Sequence, residues 1–416
     1  MIVAGKNEVP ALLLNGVDLM LESWADYIIV YPHTLDKERF VTSLQAALDI
    51  NPYFSGRKYS KDGVQTFVTG GNEGVLLETQ QFNVELPPRF YENNYHGYDL
   101  LCGKDFRAGH RLSRSSFKHP LFQIKLSEFE GASVLGLSVW HSLSDGSTFF
   151  NFIRLLSRLY MGLETESHTP DFARIGKGRG ADVTSMLVDV WDTPTGPEKS
   201  PLFSEATFVL NEASVARIVG GFDCVGFMRY DYIIADAWKY ISAGLALGVD
   251  DTVSLYPVYD ARQLTTVAPN YVGNLLCYPS IHLSTSDIAA IKLDTLSSLI
   301  REGAFELVVK GDELLEEIQE VACFAQRSAK GRYLLKPLYD SMYGLGLLFN
   351  NLMAMPYKEF DFGGGPSHID LPLSDPIRFV QIYPSVANPG CLVVKVNLPE
   401  AELSLFSEAY TKGLQE

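Results

Sequence analysis

Two hydrophobic periods run along this chain. Residues 27–31 (YIIVY) form a β-type apolar run, and residues 35–50 place Phe40, Leu44, Ala47 and Leu48 on one face of an amphipathic helix. Phe122, Ile124 and Leu126 alternate with Gln123 and Lys125, the pattern of a half-buried strand. Residues 132–140 (ASVLGLSVW) are mostly apolar and suit a strand buried in a mixed sheet. The polar hexapeptide HSLSDG follows at 141–146, and then Phe149, Phe150, Phe152, Ile153, Leu156 and Leu159 recur at helical spacing. The hexapeptide therefore sits at a strand-to-helix junction.

Residues 170–201 interrupt the pattern, with glycines at 176, 178, 180 and 196 and prolines at 194 and 197. That composition breaks helices and predicts a long crossover, 170–201, between an N-terminal domain, 1–169, and a C-terminal domain, 202–416. Beyond the crossover, helices are expected at 229–246 and through much of 298–330. Strands are expected near 253–259, 377–383 and 391–397, and a closing helix near 400–412. This order of elements is α/β or α+β, and no internal repeat is visible.

Bulk properties narrow the class. A chain of 416 residues is long for one core and fits two cores sharing a cleft. No apolar run reaches the roughly 18 residues of a membrane helix, and the start (MIVAGKNEVP) lacks signal-peptide features, so the expectation is a cytoplasmic protein without a membrane partner. A net charge of −16 opposes a general attraction to nucleic acid. The five cysteines are scattered, without a C-x-x-C pair, so neither a disulfide framework nor a metal site is expected.

His141, Asp145 and Gly146 form H-x-x-x-D-G at the end of the predicted buried strand, where a catalytic side chain would be held rigidly. With eight histidines in the chain, roughly 0.03 chance matches to this string are expected at average residue usage. An imidazole that is largely neutral near pH 7 can take a proton from an alcohol or amine as it attacks a thioester, which typically contributes about 10² to 10⁴ in rate. His141 is the candidate base. Asp145, four residues on at a helix start, suits capping or pairing with a buried cation better than touching substrate. The alternative is a core histidine beside an Asp-Gly turn.

Further segments carry a family resemblance. LNGVD (14–18), NPYFSGR (51–57), HSLSDG (141–146), YDYIIADAW (230–238), DAR (260–262), NYVGN (270–274) and DFGGG (361–365) occur in the order found in the BAHD acyltransferases, which the chain resembles over nearly its whole length. The resemblance implies two chloramphenicol-acetyltransferase-like domains, each a mixed sheet flanked by helices, joined by a crossover loop, with a channel between them and His141 in mid-channel. It implies acyl-CoA as co-substrate, no metal, a small specialised metabolite as acceptor, and a monomer. It also implies an ion pair between Asp145 and Arg262, and a structural role remote from the chemistry for Asp361, Phe362, Gly363 and Gly365. Arg229 stands where the family has a polar contact to the coenzyme A phosphates. A protein-kinase meaning of DFG fails, because no H-R-D loop or glycine-rich ATP loop precedes it.

The chain also departs from the family pattern. Gly364 replaces the usual aromatic, and the family's T-S-W segment corresponds to Asn350, Asn351 and Leu352. Leu352 cannot donate as an indole N–H would, so the amide of Asn350 or Asn351, or a backbone N–H, is the candidate oxyanion donor. Trp140 stands where the related peptide-synthetase condensation domains have a second histidine. Ser142, Leu143 and Ser144 are candidate pocket residues, whereas Phe149, Phe150 and Phe152 belong to the core and His368 to surface or packing. The altered DFGGG and NNL segments admit two rivals to acyl transfer: a same-fold enzyme with a repurposed channel, such as a cyclase, and a non-catalytic metabolite-binding protein.

Overall fold

The structure is a computed structural model, and it describes every residue except 62–64, 88–99, 103–118, 166–168, 177, 191–200, 221–227, 246–250, 329–331, 374 and 416. Cys224 and the stretch of the crossover holding Pro194, Gly196 and Pro197 therefore lie outside the described residues.

Most N-terminal elements form a sheet in the order Ile2–Val3, Val75–Glu85, Phe122–Glu130, Ala132–Trp140, Trp24–Tyr31, His368–Asp370. Strand 132–140 lies inside it, antiparallel to 122–130 on one side and 24–31 on the other, and is buried at all nine positions. This burial on both faces explains its nearly unbroken apolar run. Strand 75–85 runs parallel to 122–130, so the sheet is mixed, as expected. Helices Lys37–Ile50 and Gly146–Met161 pack together on one face, burying Phe40, Leu44 and Ala47 with Phe149, Phe152, Ile153 and Leu156.

The second sheet runs Phe203–Leu210, Leu392–Pro399, Phe379–Pro384, Gly346–Asn351, Thr252–Asp260, Leu276–Cys277, with Ile281–Ser284 also paired to 252–260. Strands 252–260, 346–351 and 379–384 are mutually parallel, and the remaining pairings are antiparallel. The alternation along these strands defines two faces. Val253, Leu255, Leu347, Phe349, Val380 and Ile382 pack with helices Met228–Gly244, Leu293–Lys310 and Glu400–Gln415. The opposite face turns toward the N-terminal half: Tyr256 and Leu348 share a core with Val17, Met20 and Leu21, and Tyr383 and Val393 join the N-terminal core.

Two elements differ from the sequence expectations. The helical region predicted at 298–330 is two helices, Leu293–Lys310 and Asp312–Arg327, because Gly311 takes φ +49° and ends the first. Strand His368–Asp370, from beyond the crossover, pairs antiparallel with Trp24–Tyr31 and so extends the N-terminal sheet. It is anchored by charge: the Lys395 ammonium lies 2.7 Å from Asp370, and the Tyr383 hydroxyl donates to the same carboxylate at 3.2 Å. His368 is buried within this strand.

Helix 228–244 carries a titration that can be measured. Burial raises the Asp236 carboxyl to about 6, against the pull of Arg217 and Lys239. A carboxyl raised on folding binds its proton more tightly in the folded state, so its contribution to stability is present at low pH and is lost as pH rises through about 6. Asp236→Asn is therefore expected to raise the melting temperature at pH 8 and leave it unchanged at pH 4. Equal effects at both pH values would contradict this.

Candidate active site

The hexapeptide 141–146 makes a tight turn out of strand 132–140, with the Leu143 amide donating to Trp140 O at 2.9 Å and the Ser144 amide to His141 O at 3.1 Å. Asp145 then caps helix 146–161, its Oδ1 accepting the Thr148 amide at 2.9 Å. His141 is half-buried at this junction, and its own amide donates to Ser23 O at 2.8 Å. Ser142, Leu143 and Ser144 are all buried, the two serine hydroxyls donating to Leu21 O and Asp145 O. They are part of the turn's packing and do not line a pocket, which corrects the sequence expectation for them.

Asn274 governs the imidazole. It is fully buried, and its Nδ2 donates to His141 O at 2.8 Å and to Asp18 Oδ1 at 3.1 Å. Both partners only accept, so the amide nitrogen must face them and the amide oxygen must face the other way. That oxygen lies 3.0 Å from His141 Nδ1. In the neutral imidazole Nδ1 therefore carries the proton, and Nε2 presents a lone pair. Asp18 is itself fixed by the Asn15 and Asn274 amides at 2.9 and 3.0 Å, with the Arg174 guanidinium 3.8 Å away. Burial pushes its carboxyl up, against Arg174 and these donors.

A second buried cluster lies directly behind the turn. Arg262 meets Asp145 in a fork, at 2.7 Å to Oδ2 and 3.1 Å to Oδ1, and both side chains are almost wholly buried. The remaining guanidinium donors go to Asp260, Thr148 Oγ1, Tyr271 O and Gly273 O. The second Asp145 oxygen also accepts the Leu275 amide, 3.1 Å away. Burial alone would lower the Arg262 pKa, but the Asp145 and Asp260 carboxylates outweigh it and hold the charge firmly. The cluster fixes 271–275, and with it Asn274, against the start of helix 146–161.

The other sequence candidates spread outward. Asp361 Oδ1 accepts the Gly363 and Gly364 amides at 3.0 and 2.7 Å, and Phe362 packs among Tyr31, Phe40 and Tyr160. Ser157 of helix 146–161 donates to Asp361 O at 2.7 Å. Twelve residues of helix separate Ser157 from Asp145, about 18 Å at 1.5 Å per residue, so this turn stands well away from His141. Gly363 has φ +94° and Gly364 φ +155°, and a Cβ on Gly364 would sit 2.9 Å from the His33 ring. The imidazole of His33 thus takes space that a side chain at 364 would need. At Gly146 and Gly365 no such crowding exists: a Cβ would meet only the Phe150 ring at 3.5 Å and nothing within 4 Å, respectively. Arg229 is exposed in the first turn of helix 228–244.

Asn350 shares the face of Leu348, toward the N-terminal half, whereas Asn351 alternates to the other face and its Oδ1 accepts the Met353 amide at 3.1 Å. Only Asn350 of the two faces the N-terminal half. Leu352 packs against the N-terminal core.

No family model matches the chain, and no curated protein matches it in sequence. Solved structures do resemble it. TRI101 of F. sporotrichioides, complexed with coenzyme A and T-2, superposes with a TM-score of 0.75 at 15% identity, over 97% of this chain and 99% of that one. Vinorine synthase gives a TM-score of 0.70 at 16% identity, over 97% and 95% of the two chains. Polyketide synthase associated protein 5 from Mycobacterium tuberculosis gives 0.59 at 14% identity, over 99% of each. At these identities the likeness is one of architecture: this chain has the two-sheet α/β fold of those proteins along nearly its whole length.

Proposed function

We propose that the chain is a BAHD-type acyltransferase that moves an acyl group from acyl-CoA to a hydroxyl or amine of a small metabolite, with His141 as general base. The observation that carries this is the Asp18–Asn274–His141 arrangement, which makes Nε2 the proton acceptor of the neutral imidazole at a half-buried strand end. Coenzyme A and T-2 in the TRI101 crystal structure support the substrate classes.

In this reaction His141 Nε2 removes the acceptor proton as the acceptor oxygen or nitrogen attacks the thioester carbonyl. The tetrahedral oxyanion takes a hydrogen bond from the Asn350 amide or a backbone N–H. The intermediate collapses by breaking the C–S bond, and the imidazolium returns the proton to the departing thiolate. No acyl-enzyme forms. Asp145 and Arg262 position the turn, Arg229 attracts the coenzyme phosphates at a helix start, and Asp361, Gly363 and Gly365 shape the supporting turn. The domains are 1–169 and 202–416 with 170–201 between them, strand 368–370 returning to the first.

The test is release of free thiol from a panel of acyl-CoA thioesters offered with pooled alcohols and amines. Turnover that requires both substrates is expected. Catalysis of another kind without thiol release would favour the repurposed-channel alternative.

Asn274→Ala offers a separate check of the tautomer argument. Losing the oxygen that faces Nδ1 is expected to lower kcat about tenfold or more, within the roughly 10² to 10⁴ that a base supplies, and to leave the KM for acyl-CoA unchanged. A variant with unaltered kcat would remove Asn274 from the account.

A further inference from the structure

Strand 379–384 contains one polar residue among apolar neighbours, Gln381 in FVQIYP. Gln381 is 9% exposed, and its Oε1 has no hydrogen-bond partner among the described residues. Val380 and Ile382, on either side, point into the core beneath helices 228–244 and 400–415. Gln381 must therefore point the opposite way, toward the N-terminal half, as Tyr383 does. Its direct neighbour on strand 346–351 is Asn350, and its direct neighbour on strand 392–399 is Lys395, so all three side chains share that face.

Lys395 is committed to Asp370 and Glu205, at 2.7 and 3.2 Å. Asn350 in turn lies beside Val258, two residues before the Asp260 that accepts from Ser147 and Arg262. Sheet spacing then sets Gln381 about 12 Å from Asp260: two strands across and one pleat back. Through Ser147 and Arg262, Asp260 is tied to the start of helix 146–161, next to the turn that carries His141. A buried carboxamide oxygen without a donor is unfavourable in the free protein, and a fold under no other demand would place Leu or Met there.

We infer that Gln381, with Asn350 beside it, reads a hydrogen-bond-donating group, a hydroxyl or amide N–H, on the substrate that occupies the cleft. This rests on the cleft being the acyl-transfer site. The donating group belongs either to the acceptor molecule or to the acyl-CoA, and the two sources are separable.

The test uses Gln381→Met, which keeps the length of the side chain and removes the amide. One arm compares a hydroxylated acceptor with its deoxy analogue at fixed acyl-CoA; the other compares hydroxyacyl-CoA with the plain acyl-CoA, and measures the KM for each, at fixed acceptor. The wild type is expected to favour the donor-bearing member of a pair in kcat/KM, and the variant to lose about tenfold to a hundredfold of that preference. Loss in the first arm assigns the group to the acceptor. Loss in the second, or a raised KM for every acyl-CoA, assigns it to the thioester substrate. The variant should also melt at the same or a higher temperature, since a buried carboxamide oxygen without a donor has gone.

Unchanged preference and unchanged KM in both arms, with a lower melting temperature, would make Gln381 structural and overturn the inference. If the wild type released no thiol with any pair, the acyl-transfer reading would fail by itself. Gln381 would then be judged by thermal shift, where hydroxylated ligands must stabilise the wild type more than Gln381→Met, and equal shifts would overturn it.

Discussion

Arg262→Ala is expected to destabilise the fold by about 3–5 kcal/mol, because it strands a buried carboxylate without its cation. Asp145 would keep the Thr148 and Leu275 amides but lose both guanidinium contacts, and Tyr271 O and Gly273 O would lose their guanidinium donors and keep the Thr148 hydroxyl. At about 2–4 °C per kcal/mol for larger domains, the melting temperature should fall by roughly 6–20 °C. Asp145→Ala should cost a similar amount, since among the described residues it leaves the guanidinium with Asp260 alone as a charged partner, and it removes the helix cap. The double variant should fall well short of the sum, because the two side chains share one interaction. Thermal melts of the three proteins check this; additive losses would mean that the pair does not act as a unit.

His141→Ala is expected to have the opposite signature. The backbone contacts of residue 141 to Ser23 O and Asn274 Nδ2 do not involve the imidazole, so the turn should hold and the melting temperature should barely move. Turnover should fall by about 10² to 10⁴, with acyl-CoA affinity retained. A collapse of stability comparable to that of Arg262→Ala would mean that the imidazole is a packing residue.

How much of this was legible in the sequence depended on distance along the chain. Strand 132–140 and helix 146–161 follow directly from a buried apolar run, an aspartate cap and apolar residues at helical spacing, all of them local signals. Strand 368–370 is three residues long and pairs with a strand some 340 residues earlier, so no local period could announce it. The break at Gly311 was hidden because a single glycine inside a helical pattern is tolerated as often as it terminates one.

The site divides in the same way. His141 and Asp145 stand four residues apart in a recognisable string, and only the family resemblance brought Arg262, 117 positions from Asp145, beside them. Asn274 is 133 residues from His141, and Asp18 is 256 from Asn274. Neither was singled out, although both close segments that carried the resemblance, LNGVD and NYVGN. The usable signal was chemical: an aspartate and an asparagine that are buried need buried partners, and a histidine base needs something to fix its tautomer. Gln381 left a similar trace, as a lone amide in an apolar strand.

The most direct test of the account follows the label and the thiol together. Acyl-CoA labelled in the acyl group is incubated with a productive acceptor and either wild type or His141→Ala, and free thiol and acylated acceptor are counted at the same time points. The account predicts equal amounts of thiol and labelled product from the wild type, no label held on the protein, and both signals reduced together by at least about a hundredfold in the variant, which still binds acyl-CoA. Undiminished transfer by His141→Ala, or label that stays on the wild-type chain, would contradict it.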